Sequence, residues 1–220
     1  MNLVKDGRWQ YLTDGLKNTM LITVFACALG IVLGLLIAVI RSTHDKTGKL
    51  TILDAVCRVY LTVIRGTPSV IQLMIFYYCI FTSRAFSGIF VACIAFGLNS
   101  AAYVAEIIRS GIMSIPQGQL EAGRSLGFTY VETMKYIIMP QAIKNVLPAL
   151  CNEFIVLIKE TAVAGYVAVQ DLTKGGDIIR SRTYDAWTPL LTVAVIYLVL
   201  TMFLTNIEKR IEGSLRRNER

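Results

Sequence analysis

The sequence is poor in the residues that usually carry chemistry. It has a single histidine, His44, and one imidazole cannot build a metal site. Its five cysteines, Cys27, Cys57, Cys79, Cys93 and Cys151, stand alone inside apolar stretches with no CxxC pair. They read as small packing residues, not as a disulfide framework or a metal cage. No phosphate-binding loop of the form G-x-x-x-x-G-K-[ST] occurs: the one Gly-Lys pair, Gly48-Lys49, is followed by Leu50. Charged residues make up 17% of the chain, below the roughly 25% of soluble domains. No nucleophile, base and metal constellation stands out, so the chain is not expected to be an enzyme. Internal repeats and low-complexity segments are also missing.

What fills the 220 residues instead is apolar: 55% hydrophobic, with a mean hydropathy of +0.57. The apolar residues come in long runs. Thr19 to Ile40 holds no charge and exceeds the about 20 helical residues that a bilayer core requires. It follows a polar lead and lacks a small-residue cleavage site, so it is expected to stay as an anchor. Five membrane-spanning helices are expected, over residues 19–40, 52–82, 89–108, 146–169 and 188–207, in a single all-α polytopic membrane domain covering 1–220. The second is expected to kink near 66–68, where Gly66 and Pro68 interrupt it. His44 is expected to decorate a polar loop.

Basic residues orient such a chain. Arg41, Lys46, Lys49 and Arg58, then Arg109, Arg124, Lys135 and Lys144, then Lys209, Arg210, Arg216, Arg217 and Arg220 fall on one side. The other side holds Lys5, Arg8, Lys17, Arg84, Lys174, Arg180 and Arg182. The richer side is expected to be cytoplasmic, which puts the N-terminus outside and the C-terminus inside. The net charge of +7 is then explained by an anionic leaflet and requires no nucleic acid.

The loop 110–145 has a pattern of its own. Pro116 suits the start of a short helix, and Gly127 the left-handed position beyond its end. Thr129 and Glu132 form a capping box for a second helix, whose Tyr130, Met134, Ile137 and Ile138 share a face. Pro140 is expected to bend or end that helix.

Glu121, Ala122, Gly123, Gly127, Ile137, Met139 and Pro140 stand at the offsets of the EAA loop of ATP-binding-cassette importer permeases, which the stretch resembles. Gly123 and Met139 depart from the family's Ala and Leu. RGTPSVIQ from Arg65, FGLNSAAYVAEIIRSGI from Phe96 and NEFIVLIKETAV from Asn152 resemble the polar amino acid branch of the same permeases. The resemblance implies a five-span core of the type I importer kind, paired with a second permease subunit that is either the same chain or a paralogue. It further implies two partner ATPases that bind ATP and magnesium, and an extracytoplasmic binding protein that delivers substrate to the inner membrane. In that family the loop docks on the ATPase, which assigns Glu121, Ala122, Gly123, Gly127, Ile137 and Pro140 to coupling. No cofactor is expected in this chain.

Charges within a span cost about 2.5–3.5 kcal/mol each on insertion scales and usually face a cavity or a partner. Arg65, Gln72, Asn99, Glu153, Lys159 and Glu160 are therefore the candidate substrate contacts. A cation would meet a substrate carboxylate and Glu153 an ammonium; a cationic amino acid is one possibility. Asn152, Glu153, Val156, Lys159 and Glu160 are expected on one helical face. Pairing among these residues is the competing reading, and Glu106 with Arg109 is expected as a structural pair. The competing function is a solute transporter driven by an ion gradient.

Overall fold

The computed structural model describes residues 7–217. Lys5 and Arg220, which entered the charge comparison, lie outside the described residues, as do the side chains of Lys46, Arg216 and Arg217. The described residues contain helices, turns and bends, with no strand.

Helix α1 (Trp9–Thr47) continues well past both ends of its uncharged run. At 1.5 Å per residue it is about 58 Å long, roughly twice a hydrocarbon core. Gly48 ends it at φ 65°, its N–H donating to the His44 carbonyl. α1 packs along helix α4 (Gly88–Met113), and small residues set the closeness of that packing. A Cβ on Gly34 would lie 2.6 Å from Val104 Cγ1, and one on Gly97 2.6 Å from Leu29 Cδ2. Without a hydrophobic drive between helices in lipid, such close approach supplies the dispersion contact that holds them. The core around this seam contains Ile22, Ala26, Leu73, Ala92, Phe96 and Leu157.

The expected single kinked helix at 52–82 is two helices. α2 (Thr51–Gly66) and α3 (Ser69–Ile75), which runs on through a π-turn Phe76–Ile80, meet at 111°. Pro68 forces Thr67 into an extended conformation, φ −124° and ψ 147°, and the carbonyls of α2 lose their helical donors. Gln72 replaces them. Its Nε2 donates to Ile64 O at 2.7 Å, Thr67 O at 3.0 Å and Thr67 Oγ1 at 2.8 Å.

α1 and α2 are also joined at their near ends. Asp54, 3% exposed, accepts from Arg58 Nε at 2.6 Å and has His44 Nδ1 at 3.4 Å and Arg41 Nε at 3.7 Å. His44 thus lies on α1 beside the buried Asp54 carboxylate, contrary to the expectation of loop decoration; the sequence pattern did not show that α2 folds back on it.

α5 (Gln117–Ser125) and α6 (Tyr130–Thr133) form the expected helical pair in the loop. α6 passes through a π-turn, Met134–Ile138, directly into α7 (Met139–Glu160). Pro140 therefore does not end a helix; it lies in the first turn of α7, directly after the π-turn. The segment expected as one span over 146–169 stops being α-helical at Glu160 and continues as a 3₁₀ stretch, Thr161–Val167. Next come α8 (Leu172–Thr183), which lay unrecognised in an expected loop, and α9 (Trp187–Arg217).

By length and apolarity three helices can cross a membrane, α1, α4 and α9, or four if the bent α2–α3 pair counts as one crossing. α7 is not among them. Lys144, Glu153, Lys159 and Glu160 dilute its hydropathy, and it packs on α4 and α9.

α8 docks on the start of α1 through two glycines. A Cβ on Gly15 would lie 2.5 Å from the Asp171 carbonyl oxygen, and one on Gly175 would overlap the Tyr11 carbonyl. Asp171 caps α8, accepting from Lys174 N at 2.9 Å, and is fully buried. Burial pushes its carboxyl from 3.8 up to about 6, against hydrogen bonds from the Lys174 and Thr173 amides that lower it. A carboxyl that holds its proton more tightly folded than unfolded loses the fold stability as pH rises from about 4 to about 6. Asp171→Asn keeps a capping side chain without that loss. It is expected to raise the melting temperature by a few degrees above pH 6 and to leave it unchanged near pH 4, as a thermal-shift titration would read.

Candidate functional site

Two places bring the candidate residues together. The first is a cavity of about 450 Å³ between α4 and α7, lined by Arg65, Tyr103, Glu106, Ser110, Asn145 and Glu153 among others. Glu153 enters it from α7, 9% exposed, and its Oε1 accepts from Ser100 Oγ on α4 at 2.9 Å. Arg65, from the last turn of α2, has Nη1 3.5 Å from Glu106 Oε2 and its guanidinium 5.9 Å from the centre of the Tyr103 ring. Glu106 Oε1 also accepts from Arg109 Nη2 at 3.2 Å, as the expected pair. One cavity therefore carries a buried carboxylate and, among its other lining groups, a guanidinium already shared with a second carboxylate. A ligand with both an ammonium and a carboxylate can be matched at both ends by such walls.

Asn99 and Gln72 meet beside this cavity: Asn99 Nδ2 donates to Gln72 Oε1 at 2.9 Å. Both are buried. Gln72 is spent on the α2–α3 break, so its amide is a structural clamp that also reaches Asn99. The shared face expected on α7 is not uniform. Glu153 is buried, Glu160 half-buried, and Asn152 and Lys159 exposed. Lys159 and Glu160 do not line the cavity that holds Glu153. Sequence reasoning missed Ser100, although it follows Asn99 directly; only the α4–α7 packing shows that its hydroxyl meets Glu153.

The second place is the loop. Leu126 and Gly127 close α5 as a Schellman motif: Phe128 N donates to Gly123 O at 3.2 Å and Gly127 N to Arg124 O at 3.0 Å. Gly127 has φ 89°, the left-handed region that favours glycine. The Thr129–Glu132 capping box is complete. Thr129 N donates to Glu132 Oε2 at 2.8 Å and Glu132 N to Thr129 Oγ1 at 3.3 Å. The Thr129 amide, and after it the Thr129 hydroxyl donating to the same carboxylate oxygen at 2.8 Å, hold the exposed Glu132 carboxyl below its ordinary value, so acidification weakens this cap.

Gly123 is buried, and a Cβ there would lie 2.5 Å from Thr133 Cγ2. Its smallness serves the crossing of α5 over α6, not the approach of an outside surface. Glu121, Ala122 and Pro140 are exposed and Ile137 is half-buried. Leu126, Phe128 and Val131, at and just after the turn between α5 and α6, are 76%, 41% and 71% exposed. The sequence motif did not single them out.

The family described as "Binding-protein-dependent transport system inner membrane component" matches residues 30–217. The chain is similar to the putative glutamine transport system permease protein GlnP of Rickettsia typhi, 38% identical over 207 residues and 93% of each chain. It is 36% identical over 211 residues to the arginine transport system permease protein ArtQ of Bacillus subtilis, covering 95% of this chain and 94% of that one. Among solved structures, the crystal structure of an amino acid ABC transporter with histidines superposes with a TM-score of 0.85 at 39% identity, covering 93% of this chain and 94% of that one.

Proposed function

We propose, because this chain belongs to the family of binding-protein-dependent transport system inner membrane components, that it carries a polar amino acid across the inner membrane as the permease subunit of an ATP-driven ABC importer. The named substrates of its relatives, glutamine and arginine, support the substrate class. The observation that carries the site is Glu153: a buried carboxylate held by a single hydroxyl at the wall of a cavity that also presents Arg65. In this reading Glu153 receives the ammonium of the substrate. Arg65 is released in part from Glu106 and receives the carboxylate. Asn99 and Gln72 shape the wall beside them.

Transport proceeds by alternating access. Partner ATPases, which bind ATP and magnesium, close on the nucleotide and pull on the loop through Glu121, Ala122 and the exposed Leu126 and Phe128. The fixed geometry at Gly123, Gly127 and Pro140, with Ile137 packed beneath, passes the movement into α7, which is continuous with α6. α7 is a further crossing, the fourth of five in chain order, packed on α4 and α9. The loop end is cytoplasmic and the N-terminus outside, in keeping with the basic residues gathered at the loop end. A second permease subunit and an extracytoplasmic binding protein complete the complex.

The test is to purify the tagged chain from its native membrane in mild detergent and identify what accompanies it. An ATPase at two copies for every two permease subunits is the expected result. A chain that purifies alone, under conditions that keep comparable complexes intact, overturns the reading in favour of a gradient-driven carrier.

A further inference from the structure

A cavity of about 920 Å³ lies where the end of α1 meets the loop, lined by Ser42, Thr43, Arg124, Val131, Met134 and Lys135 together with Tyr130 and Met139. Its chemistry differs from that of the α4–α7 cavity. Among the described residues its wall holds two cations, two aliphatic hydroxyls and no carboxylate, and the rest is apolar or aromatic. Arg124 and Lys135 are exposed, and Val131 is 71% exposed. Its depth is set by α1. The uncharged run ends at Ile40 and Arg41 is its first charge, so Ser42 and Thr43 sit one turn past the hydrocarbon edge, at headgroup level. An occupant must then be apolar along one part and anionic at another, and must reside at the membrane boundary.

We propose that this cavity binds an anionic phospholipid. The phosphodiester lies between Arg124 and Lys135, and an acyl chain runs along Val131, Met134 and Met139. The ligand joins the end of a membrane-spanning helix to α5 and α6, so it ties the position of the loop to the bilayer. A zwitterionic lipid offers the same chains but brings its own cation against two others, and binds less well. The inference does not depend on the transported substrate.

The test uses the chain with whatever subunits purify with it, in vesicles. Trp9 and Trp187 are replaced by Phe, and Val131→Trp supplies the one indole at the cavity mouth, where exposure leaves room for it. Vesicles contain lipids brominated on their chains, either phosphatidylglycerol or phosphatidylcholine. The fluorescence of that introduced indole is expected to be quenched more strongly by the brominated phosphatidylglycerol, with an apparent preference falling roughly fivefold for each cation removed, as about 1 kcal/mol per basic residue at an anionic surface implies. Arg124→Gln with Lys135→Gln abolishes the preference; Arg124→Lys with Lys135→Arg retains it, which separates charge from damage to the fold. Equal quenching by both lipids, or a preference that survives the double glutamine variant, overturns the proposal. So does an indole that neither lipid reaches until a companion ATPase is stripped away, for the cavity is then a protein-docking surface.

Discussion

Glu153→Gln is expected to lower amino acid uptake by about a hundredfold or more while leaving the complex assembled. The amide keeps the length of the side chain and can still accept from Ser100 Oγ, now 2.9 Å from Oε1, so the α4–α7 contact survives. What disappears is the negative charge. A substrate ammonium placed in that cavity would lose its counter-charge, and removing one partner of a buried ion pair costs on the order of 3–5 kcal/mol. Ser100→Ala removes a hydroxyl donor to a carboxylate, about 1.5–3 kcal/mol, and is expected to weaken uptake by roughly tenfold or somewhat more. The measurement is initial-rate uptake of labelled amino acids in vesicles with the binding protein and ATP supplied. Full uptake by Glu153→Gln would show that the carboxylate serves only the helix packing.

The second large effect is expected from Gly123→Val. The added carbon atoms meet Thr133, whose Cγ2 lies 2.5 Å and Oγ1 2.9 Å from the position of the new Cβ. Thr133 is fully buried and donates to Thr129 O at 3.0 Å, so it cannot swing aside, and overpacking of this kind costs about 1–3 kcal/mol. α5 is then lifted from α6, and the exposed tip loses its shape. The expected outcome is a permease that reaches the membrane with little ATPase attached, read as the ratio of the two after purification. Gly118, where a Cβ would meet nothing within 4 Å, is the control: Gly118→Val should retain the ATPase. Gly123→Ala is expected to lose less, and Thr133→Ser in the same chain to restore part of that loss by deleting the clashing Cγ2. Because the two residues touch, their effects should not add.

The loop was the most legible part of the sequence, because its geometry is local. Pro116, Gly127 and the Thr129–Glu132 box act within a few residues, and each stands where its spacing placed it. Membrane-spanning helices were legible as apolar runs where they face lipid, as α1 and α9 do. α7 was misjudged in extent because the chain passes from it into the 3₁₀ stretch Thr161–Val167 without an interrupting proline, and a contact such as that of Glu153 with Ser100 leaves no periodic trace in a single chain. The 111° break was read as a kink because Pro68 and Gly66 announce an interruption but not its angle; the angle depends on Gln72, whose partners lie across the gap. Of the pairings between distant segments, Ser100 with Glu153 and Asp54 with Arg41 and His44, the sequence showed Glu153, Arg41 and His44 as separate polar residues and did not single out Ser100 or Asp54. Glu121 and Ala122 on α5 and Pro140 on α7 are exposed, whereas Gly123 is buried against Thr133, which a one-dimensional motif does not distinguish.

Gln72 holds the break in the α2–α3 segment and also accepts from Asn99, whose neighbour Ser100 donates to Glu153. Three helices thus share a short relay of polar groups, and in the proposed reading the shape of the bent segment and the filling of the cavity are expected to be linked equilibria. A ligand that favours one bend angle by a given factor must itself be bound more tightly, by the same factor, when that angle is imposed from elsewhere. Substitutions at Gln72, which is not among the residues lining the cavity, should therefore register as changes in apparent affinity, with the sign revealing which angle the loaded permease prefers.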